Sequence, residues 1–132
     1  MVLIDSNIIL DIWDRDPVWS GWSSGQLRSL STSHDFAINA VIYAEISVRF
    51  DAQATLDQRL ADLEIHIQDI PRESAFLAGK AFVKYRLLGG KRIKVLPDFF
   101  IGAHASVLGC LLLTRDSQTY STYFPGVHLI AP

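Results

Sequence analysis

Four carboxylates stand where a folded chain could put them to chemical use. Asp5 follows the apolar run Val2-Leu3-Ile4, and Asp116 follows Leu111-Leu112-Leu113-Thr114-Arg115. Glu45 lies within Val41-Ile42-Tyr43-Ala44-Glu45-Ile46, and Asp98 within Leu96-Pro97-Asp98-Phe99-Phe100-Ile101. An acid in apolar surroundings needs a partner, because an isolated buried charge neutralises or destabilises the fold. Few basic residues lie near these acids in sequence. If the four converge, each pair about 4 Å apart repels by ~4 kcal/mol at an effective dielectric of about 20. A divalent cation removes that repulsion. Oxygen-only donors, with no histidine at ligand spacing, favour Mg²⁺ or Mn²⁺ over Zn²⁺. Hard cations beside a polyanion suit phosphodiester hydrolysis, activating a water and neutralising charge on the scissile phosphate. Each acid also has a plainer reading. Asp98 beside Pro97 suits a helix dipole; Asp5 could cap with Ser6 and Asn7, and Asp116 could start a turn with Ser117. Glu45, in mid-helix among apolar neighbours, is the hardest to dismiss in this way.

The charge pattern points to a polyanion as well. The net charge is −2, from 12 basic and 14 acidic residues. Residues 1–73 carry 12 of the acids and 5 of the bases, whereas residues 74–132 carry 2 acids and 7 bases. Six bases fall between Lys80 and Lys94 with no acid among them. Such asymmetry predicts a contact with a polyanion more strongly than the net charge does; its bland counterpart is a solvated helix face followed by a basic loop.

The elements that must position these groups follow from the hydrophobic pattern. With 132 residues, 49% hydrophobic and 20% charged, the chain reads as a single globular domain over residues 1–132. Short apolar runs at Val2–Ile4, Asp35–Ile38, Ile65–Ile67, Leu111–Leu113 and Val127–Ile130 predict five strands. Between them lie a helix opening at Ser6-Asn7, one over Trp19–Leu30, one capped by Asn39 and reaching about Phe50, and one over Gln53–Leu63. A longer helix runs from Pro71 to Leu88, with Ala75, Ala78, Phe82 and Tyr85 on its apolar face, and Gly89-Gly90 ends it. Another opens at Pro97-Asp98 and runs to Leu108. Strands alternating with helices imply crossovers and a parallel sheet covered on both faces, an α/β three-layer sandwich. The single cysteine, Cys110, excludes a disulfide framework and reads as a core thiol in a reducing compartment. No secretory signal is visible, and the apolar stretch Phe99–Leu113 falls short of the ~20 residues that span a bilayer. The expectation is a cytoplasmic protein with no membrane contact.

At this point the sequence resembles the PIN-domain ribonucleases, and among them the VapC-type toxins of toxin–antitoxin pairs. The resemblance rests on Leu3-Ile4-Asp5-Ser6-Asn7, the segment bearing Glu45, Leu96-Pro97-Asp98-Phe99-Phe100-Ile101-Gly102-Ala103-His104-Ala105, and Leu113-Thr114-Arg115-Asp116 followed by Tyr120 and Phe124. These segments are collinear over essentially the whole chain. The resemblance implies that Asp5, Glu45, Asp98 and Asp116 hold one or two Mg²⁺ or Mn²⁺ ions. Asp5 and Asp98 would ligate directly; Glu45 and Asp116 would ligate or orient the attacking water. Ser6 and Thr114 match polar positions flanking the site. Many relatives carry another acid just before the aromatic matched by Tyr120, where this chain has Thr119, which leaves the second ion open. The implied activity is single-strand-specific RNA cleavage by water, leaving a 5′-phosphate on one product. Implied partners are the RNA substrate, a cognate antitoxin, and a second copy in a homodimer or a toxin–antitoxin hetero-oligomer.

Lys84, Arg86, Lys91, Arg92 and Lys94 lead directly into Asp98 and are the expected RNA-backbone contacts, on a loop that Gly89-Gly90 would let move. Trp13, Trp19 and Trp22 read first as packing residues; in relatives this region helps to receive the antitoxin. His34, His66, His104 and His128 show no ligand spacing, and His104 is expected to pack or hydrogen-bond on its helix. A phosphoacceptor receiver would need a late-strand lysine, and no lysine follows Lys94. A haloacid-dehalogenase phosphatase needs Asp-x-Asp, where this chain has Asn7. The remaining alternative is a degenerate PIN domain that binds protein or RNA without catalysis.

Overall fold

The structure, a computed structural model, describes residues 1–132. Five strands form one wholly parallel sheet: β1 (Val2–Ile4), β2 (Phe36–Ile38), β3 (Ile65–Ile67), β4 (Leu111–Leu113) and β5 (Leu129–Ile130). Their spatial order is β3-β2-β1-β4-β5, which puts the first strand in the middle. Val2, Leu3 and Ile4 are all fully buried. Since successive strand side chains point to opposite faces, both faces are covered at the centre. At the edge, β3 buries Ile65 and exposes His66 and Ile67.

Seven α-helices connect the strands: α1 (Ser6–Trp13), α2 (Ser20–Leu30), α3 (Ala40–Ser47), α4 (Gln53–Asp62), α5 (Arg72–Leu87), α6 (Leu96–Leu108) and α7 (Ser117–Tyr123). The expected α/β architecture and all five strands are present. Helix α7 departs from the expectation of a turn after Asp116. Its sequence Ser-Gln-Thr-Tyr-Ser-Thr-Tyr has no apolar repeat, and tertiary packing of the buried Tyr120 and the following Phe124 holds it in place. On α5 three residues of the expected apolar face, Ala78, Phe82 and Tyr85, pack against the core, whereas Ala75 is exposed and Ser74 and Ala81 are buried. Asp5, rather than Ser6 or Asn7, caps α1, and Asn39 caps α3 as its type predicts. His104 is buried and bonds off its helix, its Nδ1 lying 3.1 Å from Asn39 Nδ2.

Trp13 packs edge-on against Phe50, and Trp19 edge-on against Trp22; Trp13 and Trp22 lie against the core. Cys110 is half-buried against the core. Helix α6 lies tight against the chain end of α7. A Cβ on Gly102 would clash with the Phe124 ring, so glycine is the residue that fits there without a shift. No helix is long and apolar enough to cross a membrane.

Candidate active site

Strand order reverses direction between β1 and β4, and an open parallel sheet leaves a crevice outside its carboxyl edge at such a point. Asp5 ends β1 there, and Thr114 and Asp116 follow β4. Asp5 is only 4% exposed. Its Oδ1 accepts the Ser6 amide at 2.7 Å and the Ser6 hydroxyl at 3.4 Å. Its Oδ2 accepts the Thr114 hydroxyl at 2.7 Å, the Tyr120 hydroxyl at 3.0 Å and the Asn7 amide at 3.3 Å. Donors from both ends of the chain therefore fix one carboxylate. Burial pushes the Asp5 carboxyl up, against the pull of the Thr114, Tyr120 and Ser6 hydrogen bonds, and the Asp116 charge adds to the rise. Tyr120 is completely buried; burial and then the Asp5 charge raise its phenol well above 10, so the hydroxyl stays protonated and donates.

The other acids act on the same space. Asp98 stands half-buried in the first turn of α6. Burial, followed by the charges of Asp5, Glu45 and Asp116, pushes its carboxyl up to about 7. Glu45 on α3 is raised by burial and by Asp5, against a smaller pull from the Ser6 hydroxyl. One of its oxygens, Oε1, is buried without a hydrogen-bond partner. Asp116 is exposed at the head of α7; its amide donates to Thr114 Oγ1 at 3.0 Å, and the Thr119 hydroxyl donates to its Oδ2 at 3.3 Å. The structure thus couples all four predicted acids and seats Ser6 and Thr114 beside the first. Their oxygens are not already gathered: no three acidic, histidine or cysteine side chains stand close enough to hold an ion as they are. The donor set nonetheless fits a hard divalent cation, since it offers only carboxylate oxygens, mutual repulsion, and one buried oxygen lacking a partner.

The predicted basic residues Lys84, Arg86, Lys91, Arg92 and Lys94 are all exposed. None pairs with a carboxylate, the two ion pairs being Arg49–Asp14 and Arg115–Asp11. The Gly89-Gly90 loop packs on Tyr85. Gly90 lies under the Tyr85 ring, which a Cβ there would clash with, and the Arg92 amide donates to the Tyr85 hydroxyl at 2.9 Å. That bond and the adjacent Arg92 charge hold the Tyr85 phenol below its ordinary value.

The model of the PIN domain family matches residues 2–125. The chain belongs to this family. The PIN fold here is similar to three solved structures in particular. The first is VapBC2 from Rickettsia felis bound to a fragment of promoter DNA (TM-score 0.75, 17% identity, 100% of this chain and 99% of that one). The second is VapBC-1 from nontypeable Haemophilus influenzae (0.71, 16%, 99% and 98%). The third is a toxin–antitoxin complex from Klebsiella pneumoniae (0.62, 22%, 96% and 95%). The sequence matches no curated protein.

Three residues of this PIN site escaped the sequence reading as positioning groups. Asn7 accepts the Arg115 amide at 3.2 Å while donating to Asp5, so it ties the two strand ends together. Tyr120 supplies the buried donor to Asp5. Asp11, 3% exposed, holds the Arg115 guanidinium through two bonds of 2.8 and 2.9 Å and also accepts the Ser23 hydroxyl at 2.7 Å. The Arg115 guanidinium lies 5.2 Å from the Trp19 ring centre. The available signal for Asp11 was its place on the buried face of α1, three residues beyond Ile8.

Proposed function

We propose that this PIN domain is a Mg²⁺- or Mn²⁺-dependent endoribonuclease that cleaves single-stranded RNA, and that it is the toxin of a toxin–antitoxin pair. The observation that carries the reading is the buried Asp5 carboxylate at the carboxyl edge of the sheet, fixed by Ser6, Thr114 and Tyr120, in a chain that the PIN family model matches over residues 2–125. Its charge and those of Glu45 and Asp116 raise the Asp98 carboxyl, and a divalent cation would relieve such repulsion. Asp5, Glu45, Asp98 and Asp116 would hold one or two ions, which supply charge stabilisation to the scissile phosphate and lower the pKa of a water. The chain's own residues do the positioning. Ser6, Thr114 and Tyr120 fix the Asp5 carboxylate, and Asn7 fixes the Thr114–Asp116 segment relative to it. The exposed Lys84, Arg86, Lys91, Arg92 and Lys94 would carry RNA phosphates toward Asp98 without reading sequence. Likeness to chains in the Rickettsia, Haemophilus and Klebsiella complexes supports an antitoxin partner. The assembly proposed with it is a homodimer or a toxin–antitoxin hetero-oligomer in the cytoplasm.

A PIN domain that binds protein or RNA without cutting is the second reading, and one experiment separates the two. The test is cleavage of single-stranded RNA by purified protein freed of partner. Activity should require Mg²⁺ or Mn²⁺ and stop in chelator, and Asp5→Asn or Asp98→Asn should each lower the rate by orders of magnitude. Cleavage that persists without metal in both variants rejects the mechanism, and metal binding without cleavage selects the second reading.

A further inference from the structure

Beside the acids lies a cavity of about 290 Å³ between the end of α5, the basic loop and α7. Its walls include Tyr85, Arg92, Phe99, Gln118, Thr122 and Tyr123. It adjoins the candidate site at two points. Phe99 follows Asp98 on α6, and Thr119, also in the wall, donates its hydroxyl to Asp116 at 3.3 Å.

The wall chemistry is selective. Tyr85 and Tyr123, both half-buried, bring their rings to the wall with centres 6.2 Å apart, and the fully buried Phe99 backs them at 5.8 and 4.9 Å. Arg92 contributes a planar cation, and its neighbours Lys91 and Lys94 are exposed and unpaired. Gln118 brings an amide with both donor and acceptor capacity. Unpaired bases of single-stranded RNA are recognised in this way, by stacking on aromatic or guanidinium planes and hydrogen bonding along their edges. A phosphate site would not need the rings, and an apolar side chain would not use Arg92 and Gln118. The volume is near the lower end of small-ligand pockets, enough for one base rather than several.

We infer that this cavity takes a single unpaired nucleobase flanking the scissile phosphate, and so gives the enzyme a base preference at that position. The inference rests on the proposed RNA substrate but not on catalysis. The basic loop then contributes affinity, and the cavity contributes discrimination.

The test is binding of short oligo(A), oligo(C), oligo(U) and alternating (UG) RNA in chelator, where no cleavage is needed. The unmodified protein should prefer one of them by roughly five- to tenfold, as one well-read base edge provides. Gln118→Ala with Thr122→Val should collapse that preference while leaving the salt dependence of binding unchanged; both side chains are exposed, and an unshifted melting temperature confirms an intact fold. Lys91→Gln with Lys94→Gln should do the reverse, keeping the preference and lowering the log–log salt slope by ~0.7 per lost phosphate contact. Equal binding of all four RNAs, or none, overturns the inference. So does a preference that survives the Gln118/Thr122 variant, and an antitoxin affinity that this variant weakens while RNA preference stays would assign the cavity to the protein partner. Base preference in chelator combined with no cleavage under any metal would strike the nuclease reading and leave the cavity's role standing.

Discussion

Replacing Asp98 by Asn should make the metal-free protein more stable, with a pH dependence that identifies the cause. The Asp98 carboxyl rises from its ordinary 3.8 to about 7 in the folded protein. The folded state therefore binds a proton that the unfolded chain releases. That contribution to stability is fully present below the unfolded value and is lost as pH rises through the folded one. At ~1.4 kcal/mol per pKa unit the ceiling is ~4 kcal/mol. Asp98 is only half-buried, so solvent screening reduces this to ~1–2 kcal/mol. Loss of a negative charge from the first turn of α6 offsets a further ~0.5 kcal/mol. A net gain of ~1 kcal/mol, or about 3–5 °C in a domain of this size, is expected at about pH 8. Asparagine resembles the protonated acid. The two proteins should therefore melt together near pH 4, diverge as pH rises toward 7 and run parallel above it. Mg²⁺ should raise the melting temperature of the unmodified protein by preferential binding to the folded state, and raise that of the variant less. The assay is thermal unfolding of both proteins across this range in chelator and in Mg²⁺ at low ionic strength. A variant that is less stable at alkaline pH, or a metal shift that is unchanged, would refute the idea that the four acids share one field.

Three further outcomes follow from the packing around that field. Tyr120→Phe removes a buried donor to Asp5 and should cost ~1–2 kcal/mol at alkaline pH, and less in acid where Asp5 is protonated, as urea unfolding at the two pH values would reveal. Asp11→Ala leaves Arg115 without its two bonds; because the Arg115 side chain retains 30% exposure, the loss should be ~2–3 kcal/mol rather than the full cost of stranding a buried charge, together with a larger fall in kcat than in RNA affinity. Gly102→Ala drives a methyl into the Phe124 ring and should destabilise by ~1–3 kcal/mol, measurable as an earlier denaturation midpoint.

The strands and the four acids were legible because each announces itself locally. Leu3-Ile4-Asp5 and Leu112-Leu113-Thr114 show an apolar run giving way to polar atoms, which is how a buried strand meets a crevice. Helix α7 was not legible, since Tyr120 and Phe124 are its only buried anchors and both face partners far away in sequence. The Asp11–Arg115 pair spans 104 residues, and no spacing rule connects two such positions. On α5 the pattern suggested Ala75 inward, but alanine is small enough to be tolerated on either side, and Ser74 took the buried place. The bases were legible as a run, yet only the fold separates Arg92, in the wall of a cavity, from its solvated neighbours.

The central position of β1 also sets when the sheet, and the crevice at its edge, can be completed. Asp5 leaves the ribosome before Thr114 and Tyr120, and its bonds to them reach across 109 and 115 residues. Its strand is flanked by β2 and β4, so the middle of the sheet stays open until the fourth strand is made. At translation rates of about 5–20 residues per second, Asp5 waits roughly 5–20 s for Thr114. A growing or prematurely ended chain therefore holds Asp5 without the Thr114 and Tyr120 donors that fix it, and the candidate site assembles only once β4 and α7 have followed.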